Sequence, residues 1–175
     1  MKKPIEMANE FHQIFDPRIP NEPTAFQSKE AIFRAGFKIE ELVEFIYEST
    51  DTTVEFEQSV VKLHEALDAA KDKVLKKSTH NHQIKSDHLV GQVDALADLL
   101  YLTYGSFALM NIDPAPVLEI VHKANMSKLF PDGKPHYDPL TNKVLKPASW
   151  QEKYAPEKKI KAELNRQKNV AKLGN

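Results

Sequence analysis

The chain has no cysteine in its 175 residues, which rules out a disulfide scaffold, thiolate catalysis and any zinc site built on sulfur. That absence fits a reducing compartment, and a cytoplasmic protein is the expectation. Glycine is scarce as well, five in all, so the chain reads as helices joined by short connections, with no central strands. Neither sign of charge is in excess: 24 Lys+Arg stand against 25 Asp+Glu, a net of −1. A duplex-DNA binder, which neutralises phosphates with a large basic surplus, is therefore not expected. The opening MKKPIEMANEF carries two lysines, but Glu6 and Glu10 interrupt what would have to be the apolar segment of an export signal. What remains is ordinary globular material, 41% hydrophobic and 28% charged, of one-domain length.

Apolar periodicity and breakers predict five helices. The first covers Lys3 to Phe15 and stops at Asp16-Pro17, before the proline-rich connection RIPNEPTAF. A second starts near Ser28, read as its cap with Glu30 in the first turn, and runs to about Ser49. A third spans Val54 to Lys77, ending on lysines that suit a helix C-terminus, and STHNHQIKSD then reads as a loop. The fourth runs from His88 to Met110, and the fifth opens at Asp113-Pro114, a cap followed by proline at the first helical position. Pro131-Asp132-Gly133 marks a turn, with loop or a small hairpin expected to Pro147, and the Lys-rich stretch after Pro156 is a possible further helix. The expected fold is an all-α bundle of about five helices in one domain, residues 1–150, followed by an irregular, polar C-terminal tail, 151–175. Charge is divided unevenly: residues 1–119 hold 12 Lys+Arg and 20 Asp+Glu, net −8, while 120–175 hold 12 and 5, net +7. Either the tail is simply solvated, or an acidic metal-binding half meets a basic half that receives phosphate.

Two acidic clusters carry the chemistry. In LVGQVDALADLLYLTYGSFALMNI, 89–112, the only charges are Asp94 and Asp98, and their i, i+4 spacing puts both on one helix face. The rest of that segment is apolar almost all round, as in a buried helix. A buried carboxylate must be paired or ligate a metal, so these two call for a cation, whether a metal ion or Lys and Arg from elsewhere, unless they mark one wet edge. The second helix places Ile32, Ala35, Ile39, Leu42, Val43 and Ile46 on one stripe, which reads as core. Glu40, Glu41, Glu44 and Glu48 gather on the other side together with Phe33 and Phe37. An acidic face alone is usually solvated; the two phenylalanines make this one more than wet surface. Two helices each presenting carboxylates are the usual way a bundle builds a metal site, and oxygen-only ligands favour Mg2+ or Mn2+, with a phosphate-bearing ligand as the natural companion.

EELVE (40–44), DALADLLYLTYGSFALMNID (94–113) and VHKANMSK (121–128), in that order, resemble the all-α nucleoside triphosphate pyrophosphohydrolases. These include the MazG-type enzymes, dimeric dUTPases and phosphoribosyl-ATP pyrophosphohydrolase. The likeness extends over about residues 8–147 and is nearest to the MazG-like, phosphoribosyl-ATP-pyrophosphohydrolase-like subgroup. It implies hydrolysis between the α- and β-phosphates of a nucleoside triphosphate, giving a monophosphate and pyrophosphate, with one or more Mg2+ (or Mn2+) ions. By that resemblance Glu41, Glu44 and Asp98 are metal ligands, and Glu40, with Glu41, is the acid that positions or activates the attacking water. Asn125 and Lys128, on the apolar side of the fifth helix, are the candidate phosphate contacts. His122 is a weaker one.

The second motif of the family is ExxD, and here Ala95 stands where its glutamate would be, with Asp94 one residue earlier. One residue is about 100° of helix rotation, so Asp94 is either a shifted ligand or the sign of a site holding fewer ions. Asp87 and Glu65 are other carboxylates that could substitute. The resemblance further implies a homodimer or dimer of dimers, with phosphoribosyl-ATP or dUTP/dUDP as alternative substrates. A catalytically silent nucleotide- or metal-binding module is the different-class alternative, and no membrane partner is expected. His80 and His82, two apart in a polar stretch, make a poor metal pair. Tyr101, Tyr104 and Phe107 are either a stacking surface or core, and Phe11 and Phe15 either stack on a base or pack at a subunit interface.

Overall fold

The computed structural model describes residues 2–80 and 87–173. His82, and the side chain of His80, lie outside the described residues. Among the described residues the chain forms seven helices and no strand: α1 (Pro4–Phe15), α2 (Ser28–Tyr47), α3 (Thr53–His80), α4 (His88–Leu109), α5 (Pro114–Met126), α6 (Trp150–Tyr154) and α7 (Glu157–Leu173). The all-α expectation holds. The five expected helices are α1 to α5; the irregular tail expected over 151–175 is instead mostly helical, the stretch after Pro156 forming α7, which packs on α5. Between α5 and α6 an isolated antiparallel bridge, Tyr137 to Val144, makes the small hairpin.

Helix ends follow local chemistry. Thr52 Oγ1 accepts from the Glu55 amide (3.1 Å) while the Glu55 carboxylate accepts from the Asp51 amide (3.0 Å), so two orphan amides at the start of α3 are satisfied reciprocally. Asp87 caps α4, its Oδ1 accepting from the Val90 amide at 3.1 Å. At the other end of α4 the Ile112 amide reaches the Phe107 carbonyl and the Asn111 amide the Ala108 carbonyl, both at 3.0 Å. Asn111 there has a φ of 55°. This is the left-handed helix stop that asparagine tolerates better than most residues. Asp113 then caps α5, accepting from the Ala115 amide at 3.0 Å. The start of α2 differs from expectation by one place: Ser28 is the first helical residue, and the cap position falls on Gln27, which makes no side-chain cap bond.

The chain divides into two compact units, Met1–Glu22 with Leu96–Asn175, and Pro23–Ala95. In the first, α1 packs on α5 and α5 on α7. Met7, Phe15, Ala124 and Trp150 are its buried apolar residues. Phe11 stacks on Phe15 with ring centroids 4.4 Å apart, so these two rings are packing residues within this unit. Tyr137 ties the hairpin to α1 by donating to the Phe15 carbonyl at 3.0 Å. In the second unit α2 packs on α3, with Tyr47 edge-on to Phe56 at the connection between them (5.3 Å). Gln92 holds the chain ahead of α2, pairing with both the amide and the carbonyl of Phe26 at 2.8 and 2.9 Å.

Two readings of burial need correction. The α2 stripe expected as core leaves Ile32 69% exposed and Ile39 and Leu42 exposed. The helix expected to be buried, α4, shows its apolar side chains to solvent almost throughout, Tyr101 at 79% and Leu109 at 92%. Hydrophobic periodicity reports that a face needs covering; it does not report which chain covers it. No single described helix is long and apolar enough to cross a membrane, and α4 with α5, which together have the composition, are bent by 117° at their junction.

Candidate functional site

Glu40, Glu41 and Glu44 lie within five residues of α2, and their side chains are exposed. Helical spacing puts them on the face that also carries Phe33 and Phe37, whose rings meet edge-on at 4.9 Å. That face therefore combines a carboxylate row with an aromatic pair one turn before it. On α4, Asp94 and Asp98 are one turn apart and exposed, with Ala95 between them. The carboxylates thus come as two rows, one per helix. Among the described residues no three His, Asp or Glu side chains gather into a cluster able to hold a metal ion. In kind the donor set is all oxygen, which fits a hard cation such as Mg2+ or Mn2+ and not a soft one.

Asn125 is the penultimate residue of α5 and Lys128 sits in the turn behind it, both half-buried. The end of α5 is held by an unexpected group: the indole Nε1 of Trp150, 4% exposed, donates to the Ala124 carbonyl at 2.9 Å. Lys146 Nζ lies 4.4 Å from the centroid of the same ring. The start of α5 is held from α7, where the Gln167 amide pairs with both backbone groups of Asp113 at 2.9 and 3.0 Å. Gln167 also donates to Glu163, and that carboxyl, bonded first by Arg166 and then by Gln167, is held down at about 2. None of these contacts was read from the sequence. The one available signal was the only tryptophan of the chain, standing in a polar segment, where a large indole with a polar handle needs both a pocket and an acceptor.

The weaker candidates separate. His122 is engaged with α1, its Nε2 2.9 Å from Glu10 Oε2 and its side chain 11% exposed; with Lys2, the larger influence, it lowers the Glu10 pKa. Asp87 serves as the α4 cap, whereas Glu65 is exposed on α3. Tyr101 and Tyr104 are exposed and Phe107 is half-buried beside the α4 stop.

Over residues 8–125 the sequence matches the family described as phosphoribosyl-ATP pyrophosphohydrolase. The chain belongs to that family. The match includes both acidic helices and ends on Asn125. A crystal structure of a protein from Exiguobacterium sp. 255-15, provisionally described as an NTP pyrophosphohydrolase, shares its fold. The TM-score is 0.81 at 35% sequence identity, over 97% of this chain and 98% of that one. No curated protein matches significantly. The resemblance drawn from EELVE, DALAD and VHKANMSK is thus borne out at the level of family and fold. Membership in the phosphoribosyl-ATP pyrophosphohydrolase family supports a hydrolase acting on phosphoric anhydrides. The fold likeness extends past the family match into the hairpin, α6 and α7.

Proposed function

We propose that the chain hydrolyses a nucleoside triphosphate between its α- and β-phosphates, releasing a nucleoside monophosphate and pyrophosphate, and so removes unwanted nucleotides. The observation that carries this is the family match across both acidic helices, supported by the oxygen-only donors on α2 and α4. Glu41, Glu44, Asp94 and Asp98 would hold Mg2+ or Mn2+. When bound, such an ion offsets triphosphate charge and makes a coordinated water more acidic. Glu40, beside Glu41, takes the proton of the attacking water as the new P–O bond forms and the α–β bridging bond breaks. Asn125 donates hydrogen bonds and Lys128 a positive charge to the phosphates; both are half-buried, where such contacts are less screened than at a free surface.

The assembly is part of the proposal. A helix apolar all round, with Leu99 half exposed and Leu100, Tyr101 and Leu102 more so, is stable in water only when something covers it. A second copy of the chain, in a homodimer or a dimer of dimers, supplies the same kind of surface. Two carboxylate rows that form no three-ligand cluster among the described residues of one chain are then gathered when copies assemble.

The test is release of pyrophosphate and orthophosphate from a panel of canonical and modified nucleotides, including dUTP, dUDP and phosphoribosyl-ATP, with Mg2+ or Mn2+. Glu44→Gln and Asp98→Asn serve as controls. One favoured substrate class yielding pyrophosphate, with a loss of at least about 100-fold in both variants, is expected, since each removes charge from the proposed metal site. One observation favours a second reading, a nucleotide- or metal-binding module without turnover: Ala95 stands where the family motif has its glutamate. That module would gain thermal stability from nucleotide without releasing either product.

A further inference from the structure

We propose that Trp150 is a positioning residue for the phosphate-binding end of α5, an inference that rests on the roles given above to Asn125 and Lys128. In a helix that continued, the Lys128 amide would bond the Ala124 carbonyl four residues back. Here it bonds the Asn125 carbonyl instead, at 3.1 Å, a tightening common in last turns that leaves the Ala124 carbonyl to find another donor. That donor is the Trp150 indole at 2.9 Å, reaching across 26 residues of sequence. Both partners are buried, Ala124 at 5% and Trp150 at 4% exposure. A buried carbonyl without a partner is costly, so the α5 terminus is confined to the arrangement in which the indole reaches it. Asn125 is the next residue and Lys128 one turn on, and both take their direction from that turn. The far end of α5 carries a comparable clamp, Gln167 on Asp113, but it bears no proposed substrate contact. It is therefore the internal control.

The chain has a single tryptophan, so its emission reports on this turn alone. The experiment uses the full chain and inorganic tripolyphosphate with Mg2+ as probe, read by calorimetry for every variant and by tryptophan emission where Trp150 is present. KM and kcat follow on the nucleotide that is turned over. Trp150→Phe keeps a ring in the pocket and removes the N–H. It is expected to weaken tripolyphosphate binding and raise KM about fivefold, the factor that loss of one buried hydrogen bond supplies, with kcat little changed. The effect should vanish in a Lys128→Ala background, because coupled residues are non-additive. Gln167→Ala should lower Tm and leave binding unmoved. Emission of the wild type should change on saturation with tripolyphosphate.

The proposal is overturned if Trp150→Phe behaves like Gln167→Ala, lowering Tm alone, or if its factor is the same with and without Lys128. A wild-type emission that ignores bound tripolyphosphate counts against it equally. Lys128→Ala binding tripolyphosphate as tightly as wild type is a different failure: it removes the phosphate role of Lys128 itself, and the positioning role falls with it.

Discussion

Among the described residues, the four buried apolar ones, Met7, Phe15, Ala124 and Trp150, all belong to the unit formed by Met1–Glu22 and Leu96–Asn175, and none belongs to the unit Pro23–Ala95. Yet the second unit is not poorer in apolar side chains. Ile32, Ile39 and Leu42 of its α2 stripe and the α3 residues Val61, Leu67 and Val74 lie open to solvent, and α4, which contributes to both units, is apolar and exposed along most of its length. One region closes its core within the chain, around α1, α5 and Trp150. The other presents the raw material of a core. The carboxylates proposed for metal lie on the helices that are open, and the residues proposed for phosphate lie at the end of a helix that is fixed. In the proposed function, phosphate binding would thus be preorganised by intrachain packing, whereas the acidic rows would be gathered by assembly.

The contrast is broken most drastically on α4. Leu100→Glu changes an exposed residue, 57% accessible, and in an isolated chain such a substitution is worth within about 0.5 kcal/mol. In the proposed assembly it buries an unpaired carboxylate, a penalty of several kcal/mol. Light scattering coupled to size exclusion should show wild-type chains as multiples of 19.9 kDa and the variant as single copies. A wild type that runs as a single copy would remove the contrast altogether. Next comes the closed region, where Trp150→Ala empties a buried pocket and should lower unfolding stability by about 3–5 kcal/mol in denaturant titrations. Val61→Ala, on an exposed α3 position, should cost far less under conditions that keep the chain monomeric.

Smaller effects sharpen the same division. Asp113→Ala removes the α5 cap, whose Oδ1 accepts from the Ala115 amide, and should cost about 1 kcal/mol. The smallest effect is acid dependence. Arg166 and Gln167 hold the Glu163 carboxyl at about 2, below its ordinary 4.5, so its contribution is complete above about pH 4.5 and is lost as pH falls toward 2. Glu10, lowered by Lys2 and His122, and Asp132, lowered chiefly by His136, lose theirs in the same direction. Acid unfolding followed by circular dichroism should be shallower for Glu163→Gln than for wild type between pH 4.5 and 2, with no difference at pH 7 in that slope.

Much of this architecture is legible in the sequence because helix starts and stops are written locally. Asp113-Pro114 and the break at Asp16-Pro17 each act within a few residues, and the hairpin between Pro131 and Pro147 follows its turn residues. Family membership is carried by short acidic and polar motifs and was equally readable. Burial was not. The Ile32–Ile46 stripe and α4 have core periodicity, but periodicity is a property of one helix and burial is a property of its neighbours. The backbone partners of Trp150 and Gln167 were invisible for a related reason: each side chain acts on a residue 26 to 54 positions away, and a backbone partner has no sequence signature.

A pyrophosphohydrolase whose carboxylates on α2 and α4 carry the chemistry must turn over a nucleotide with Mg2+ and lose that turnover with its carboxylates. Pyrophosphate and monophosphate are expected in equal amounts from one class of nucleoside triphosphate, abolished by both Glu44→Gln and Asp98→Asn in protein shown by circular dichroism to be folded. Orthophosphate as the product, no turnover of any nucleotide by folded wild type, or full activity in both variants would contradict the proposed function.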